Sequence, residues 1–227
     1  MEVEGMKQRL AVTLSVLFLL VAFAGSAMAD KYKPGTYSGS ATGYTKASHP
    51  GKIEVEVTVD ANSIKDIKVT TFEQTNKGKK GKLTAKAKQE IPAQIIAKQS
   101  VALDSIAGAS ASCMGIELAV AQALNKATVA YKDGVYKGFA KGYDKKKHPG
   151  KISVEVTISG GKMTKIDIVE FEQTNKGKQK ERNDEAVKTI PAQIIAKQCL
   201  AVDSIAKASM SSDGIKVAVA RALEQAR

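Results

Sequence analysis

Two ten-residue stretches hold the residues best suited to chemistry, LDSIAGASAS at 103–112 and VDSIAKASMS at 202–211. Each sets an aspartate, a run of small residues and two serines in the same order. Small side chains bury little apolar surface and serine is an indifferent helix former, so a packed core does not ask for this pattern. A serine hydroxyl at the start of a helix is another matter. The first-turn N–H groups there lack intrahelical partners, and the helix dipole favours negative charge. Ala107, Gly108 and Ala109 leave the backbone open to close approach. An exposed serine hydroxyl there would suit a phosphoester or a bound phosphate. The plainer alternative is that Ser110 and Ser112 cap the helix, contributing about 1 kcal/mol. Capping explains one serine; it does not explain a recurring Asp-Ser-Ile-Ala-x-Ala-Ser.

The elements that must position these stretches appear when the chain is laid over itself. Tyr37 matches Tyr136, His49 matches His148, Phe72 matches Phe171, Pro92 matches Pro191 and Asp104 matches Asp203, always 99 residues apart. EQTNKGK recurs at 73–79 and 172–178, and IPAQIIAKQ at 91–99 and 190–198. Two copies are too few for a solenoid, so the pattern predicts tandem domains, 30–128 and 129–227, each burying its own core. Asn125 to Asp133 reads as the linker. Gly35–Tyr44 and Gly134–Tyr143 read as first strands. KIEVEVTV at 52–59 alternates strictly and reads as a half-buried strand. A turn follows, Gly160-Gly161 in the second copy being a good hairpin pair, and then a strand over about 64–73 with Ile67, Val69 and Thr71 alternating. NKGKKGK (76–82) and NKGKQKER (175–182) read as basic loops. A helix around 85–99 starts or restarts at Pro92. Residues 115–127 place Ile116, Ala119, Val120, Ala123 and Leu124 at helical spacing. Strands followed by helices predict an α+β domain, an antiparallel sheet with packed helices.

Composition narrows the function. The 227 residues carry a formal net charge of +12. Lys7 and Arg9 precede an apolar run, Leu10–Ala24, that leads to Ala27-Met28-Ala29. This is the pattern of a secretory signal peptide over 1–29, cleaved after Ala29, and it predicts a periplasmic or otherwise exported protein. The run is short for a membrane span; an uncleaved anchor is the alternative, and no stable membrane insertion is expected after cleavage. Export, and the lack of a recognition helix or stacking aromatics, argue against nucleic acid as partner. The surplus charge suits acidic proteins, anionic lipid or an anionic cofactor. Cys113 and Cys199 form no C-x-x-C and sit at non-matching repeat positions, so they read as small buried residues, with a disulfide as the alternative. The only histidines, His49 and His148, number one per copy and read as turn residues, too few for a metal site within a domain. No G-x-G-x-x-G follows a strand.

With these residues in place, the chain resembles the small FMN-binding domain family. The resemblance rests on Asp-x-Ile-Ala-Gly-Ala-Ser-x-Ser preceded by Ile-Pro-x-x-Ile-Ile-x-x-Gln-Ser, and it extends over both repeats. The family includes the flavin subunits of bacterial sodium- or proton-pumping electron-transfer complexes and tandem-domain extracellular flavoproteins. The resemblance implies FMN held covalently, one per domain, through a phosphoester that a flavin transferase makes from FAD. It puts Ser110 and Ser209 at the acceptor position, with Ser112 and Ser211 as the alternative acceptors, Asp104 and Asp203 at the motif aspartate, and Gly108, Ala109 and Ala208 beside them. It also brings Glu73 and Thr75, with Glu172 and Thr174, toward the flavin ring. Three departures stand out: serine replaces the usual threonine in both copies, Ala107 and Ala206 replace a hydroxyl residue, and Lys207 replaces glycine. Lys207 either hinders the transferase or pairs with the phosphodiester.

The resulting expectation is an exported electron-transfer flavoprotein, a carrier rather than an enzyme in its own right. Its redox partners would be a membrane reductase, a cytochrome or a terminal reductase. The alternative is a non-flavinylated exported binding module that docks anionic partners through its basic loops.

Overall fold

The structure is a computed structural model that describes residues 29–45, 50–142, 150–173 and 176–227. The segment read as a signal peptide, both histidines, Tyr143 and Thr174 lie outside the described residues, apart from Ala29. The first unit comprises β1 (Gly35–Thr42), β2 (Lys52–Val59), β3 (Ile64–Phe72), α1 (Gly78–Lys98) and α2 (Ser110–Ala127). The second repeats it as β4 (Gly134–Lys141), β5 (Lys151–Ser159), β6 (Lys162–Phe171), α3 (Gly177–Lys197) and α4 (Ser209–Gln225). Each unit is an antiparallel three-stranded meander covered by two helices, the α+β arrangement expected.

The alternation in β2 buries Ile53, Val55, Val57 and Val59 under the helices, and β5 buries Ile152, Val154, Val156 and Ile158. In the third strand Ile67, Val69 and Thr71 alternate with exposed Lys68 and Thr70 as expected, but the period breaks before Ile67. Val59 pairs with Ile64 but Thr58 pairs with Asp66, so β3 carries one extra residue there. That bulge turns Ile64 and Ile67 to the same buried side. At the hairpin tips, the Asp60 carboxylate accepts from the N–H groups of Asn62 and Ser63 at 2.9 and 2.7 Å. In the second unit Asp133 does this work from the preceding segment, accepting from Gly160 and Gly161 at 2.9 Å each.

The basic stretches are not loops throughout. Helix α1 begins at Gly78 and runs unbroken through Pro92 to Lys98, and α3 does the same through Pro191. Both prolines are buried inside the helix rather than starting it. The repeated IPAQIIAKQ has a structural role. Ile91 and Ile95 fill the core, and Gln99, in the left-handed conformation, ends the helix. Its amide accepts from Ile64 N at 2.7 Å and donates to Ile64 O at 2.9 Å, clamping α1 to the start of β3. Gln198 clamps Met163 in the same way at 2.9 and 2.8 Å.

Helix α2 extends through Ala127, which shortens the predicted linker to 128–133. It is buried on nearly every face because one side covers β1 and β2 while the other meets α4. The expectation of separate cores therefore needs correction: through α2 and α4 the two cores merge into one apolar cluster. Charged pairs lock this seam. Arg221 reaches Glu117 at 3.0 Å and donates to the carbonyls of Leu103 (2.8 Å) and Phe139 (3.0 Å). Glu224 accepts from Val101 N at 3.2 Å and Ser100 Oγ at 3.1 Å. Both cysteines are free thiols. Burial pushes the Cys113 thiol up to about 11, so it is a packing residue and not a nucleophile.

Candidate functional site

Each serine stretch leaves the first helix of its unit, turns, and enters the second. The turn needs a left-handed residue. Gly108 takes φ +87°, and Lys207 takes φ +64° at the matching place. A left-handed conformation costs a side-chain-bearing residue about 1 kcal/mol, and such strain gathers where a site demands it. Lys207→Gly is therefore expected to stabilise the protein by about 1 kcal/mol in urea unfolding.

The N-cap positions of α2 and α4 are Ala109 and Ala208, and neither helix has a side-chain cap. Ser110 and Ser209 follow as the first helical residues, Ser110 exposed and Ser209 half-buried. They are not caps. Ser112 and Ser211 are buried and donate to the Oε1 atoms of Gln74 (2.8 Å) and Gln173 (3.1 Å). Gln74 also accepts from Tyr44 N at 2.9 Å and donates to Gly51 O at 2.8 Å. One buried amide thus ties the helix start to the end of the first strand and sets the backbone of Tyr44.

Two cavities open at these helix starts. The second unit's holds about 500 Å³ between Lys207, Ala208, Ser209, Met210, Gln179 and Asn183, with Gly43, Tyr44, Thr45 and Ala111 of the first unit opposite. The first unit's is narrower, about 130 Å³, between Tyr44, Thr75, Lys80, Thr84 and the run Gly108–Ser112. Among the described residues each has one lysine in its lining, but on different walls. Lys80 comes from α1 and stands 5.5 Å over the Tyr44 ring, where the second unit has Gln179. Lys207 comes from the turn, where the first unit has Gly108. In the second unit Asp213, also on the wall, is paired at 2.8 Å with buried Lys216 and accepts from Ser204 Oγ at 2.7 Å.

The structure thus brings Ser110, Gly108, Ala109 and Thr75 to one cavity and Ser209 and Ala208 to the other. Asp104 and Asp203 are exposed on the connecting loops and line neither. Glu73 is exposed at the strand end, and Glu172 stands 4.0 Å from Lys151; neither lines a cavity. Sequence reasoning took Gln74 and Gln173 with their neighbours as groups approaching the flavin ring, not as the ties between strand and helix that they are, and missed Tyr44, Lys80, Thr84, Gln179 and Asn183. The recurrence of Gly-Tyr at 43–44 and 142–143 was a usable signal for the tyrosine.

The family model of the FMN-binding domain matches residues 49–125 and again 148–224, together well over half the chain. The chain belongs to the FMN-binding domain family. No curated protein matches it. It is a flavin-binding protein with two FMN-binding domains in tandem, and its larger cavity suits that ligand. Open first-turn N–H groups, a serine hydroxyl and a lysine meet the charge of a phosphate. Tyr44 and Met210 offer apolar flanks, and Gln179 and Asn183 offer amides for ring heteroatoms. About 500 Å³ lies within the ~300–1,000 Å³ typical of cofactor sites.

Proposed function

We propose that this FMN-binding domain protein is an exported electron carrier in which FMN is joined through phosphoester bonds to Ser110 and Ser209. The observation that carries the reading is the state of these serines. Each is the first residue of a helix whose N-cap position is an alanine with no side-chain cap, and each lines a cavity. A partner flavin transferase, with FAD as donor, would form the Ser Oγ–P bond. AMP leaves, and the hydroxyl proton passes to solvent. The helix N-terminus then faces the phosphodiester charge, and in the second domain Lys207 adds a cation beside it. When bound, FMN supplies one- and two-electron redox chemistry at its ring; the chain supplies position and electrostatics.

The N-terminal charged and apolar pattern supports export to the periplasm, where tethering stops the cofactor diffusing away. Lys77, Lys79, Lys80 and Lys82 are exposed at the start of α1. They give an acidic redox partner, such as a membrane reductase, a cytochrome or a terminal reductase, a face to dock on.

The test is the intact mass of mature protein from a host that makes the transferase. The expected result is two added FMN units, one lost in Ser110→Ala and the other in Ser209→Ala. Unmodified protein, beside a control substrate that the transferase does modify, would overturn the reading in favour of a colourless binding module.

A further inference from the structure

The larger cavity is not built by the second unit alone. Lys207, Ser209 and Met210 form one side of it, while Gly43, Tyr44, Thr45 and Ala111 of the first unit form the other. The converse does not hold. Among the described residues, those lining the smaller cavity all belong to the first unit. Tyr44 and Ala111 line both, so α2 and α4 present their serine-bearing ends to one cleft.

The first unit's wall is held firmly. Gln74 Oε1 accepts from Tyr44 N at 2.9 Å and from Ser112 Oγ at 2.8 Å. One amide thus ties the tyrosine to the helix turn that carries Ala111. The seam itself is locked as well. The apolar core runs across it, and Glu117–Arg221 at 3.0 Å, Glu224 with Val101 N at 3.2 Å, and Arg227 Nε with Thr128 Oγ1 at 3.1 Å hold the units in one relative position. A site made by two units needs such a lock, because a hinge would strip away one wall. Tyr44 is 37% exposed, a large ring at the edge of a space lined by amides and a lysine. Cofactor sites pair apolar walls with a few polar groups in this way, and a flat heteroaromatic ring packs well against an aromatic face. Ala111 contributes by being small. Its match one repeat on is Met210, and a side chain of that length at Ala111 would narrow the space.

We infer that the flavin of the second unit is bound between the two units, its ring set against Tyr44 and Ala111 of the first. The first unit is then a working part of the second unit's site. This rests on the attachment at Ser209 proposed above. It asks nothing of Ser110, since the wall serves the second site whether or not the smaller cavity holds a ligand.

The test uses the full mature chain with Ser110→Ala, from the host that makes the transferase, so that any FMN counted by mass stands on Ser209. Emission of that flavin, its quenching by iodide and its visible circular dichroism are the readouts. Adding Tyr44→Leu is expected to raise the emission and abolish protection from iodide, because a stacked phenol quenches a flavin and covers one ring face. Tyr44→Phe is expected to keep the protection. A folded Tyr44→Leu chain that no longer gains FMN supports the inference too, since Ser209 is untouched. Ala111→Met, expected to change the circular dichroism, supplies the reading if Tyr44→Leu does not fold. All three signals unchanged, in folded variants carrying one FMN, overturn the inference and leave the attachment at Ser209 standing. A Ser110→Ala chain without FMN overturns that attachment and the inference with it.

Discussion

Gly138→Ala is expected to destabilise the protein by about 3 kcal/mol and to disturb the second cavity with it. A β-carbon at Gly138 would lie 1.8 Å from the carbonyl oxygen of Ala218 and 2.8 Å from the nitrogen of Ala222. These are backbone atoms of α4, so no side chain can swing aside. The helix must lift from β4, or the strand must bow. Either movement opens the packing of Ile152 and Val154 beneath it, and interiors resist such loosening because they are close-packed. Helix α4 carries Ser209 at its first position, so lifting it moves the acceptor hydroxyl relative to Gln173 and the cavity wall. Gly39 stands in the same relation to Ala119 in the first unit, again at 1.8 Å. Lys137→Ala, one residue away and exposed, should shift the urea midpoint little, since its ion pair with Glu155 is a surface one. If Gly138→Ala unfolds at the same urea concentration as the parent, the close approach of helix and sheet is not what holds this domain.

The same contrast marks what could be read from the residues alone. The alternation in 52–59 and in 151–159 has one physical cause, a sheet with one covered face, and it shows directly as period two. The start of α1 had no such sign. Its first turns, rich in glycine and lysine, bury only Gly81 and Thr84 before Ala87, so there is no apolar period to find. Pro92 looked like a helix start because a proline inside a helix normally costs a hydrogen bond. Here packing on both sides holds a continuous helix. The burial of α2 on nearly all faces was hidden for another reason: half of its environment is α4, and nothing in one repeat announces its neighbour.

At the site, the small residues and the first serine of each motif were legible because backbone access and an open hydroxyl demand those residue types. The motif Glu-Gln-Thr-Asn pointed to the right place, and of the side chains singled out there Thr75 lines the first cavity while Glu73 does not. Successive residues at a strand end face opposite ways, so Glu73 turns to solvent while Gln74 turns inward to hold Tyr44 and Ser112. The sharing of one cleft was not legible, because it arises from how the two units pack and not from either copy.

That packing should be sensitive to pH through Glu117. The side chain is 1% exposed, and burial pushes its carboxyl up to about 7, against the pull of Arg221 beside it. The folded protein then holds this proton more tightly than the unfolded chain, whose carboxyl titrates near 4.5. The stabilising contribution is full below that value, declines as pH rises between the two, and is gone above about 7. One proton over that span amounts to roughly 3 kcal/mol. Glu224, raised by burial as well, acts in the same direction. Urea midpoints are thus expected to fall from pH 5 to pH 8. Glu117→Gln should flatten the slope, since an amide does not titrate and still accepts from Arg221. Arg221→Met should do the reverse. With the guanidinium gone, the charged form of Glu117 is buried without compensation, so the loss should be on the order of 3 kcal/mol or more at pH 8. At pH 5, where the carboxyl is neutral, the loss should be smaller and should reflect mainly the unpaired carbonyls of Leu103 and Phe139. An equal loss at both values would mean that Arg221 acts by packing alone. A larger loss at pH 8 would identify the ion pair as the clasp that keeps α2 against α4, and with it the two serine-bearing helix ends on one cleft.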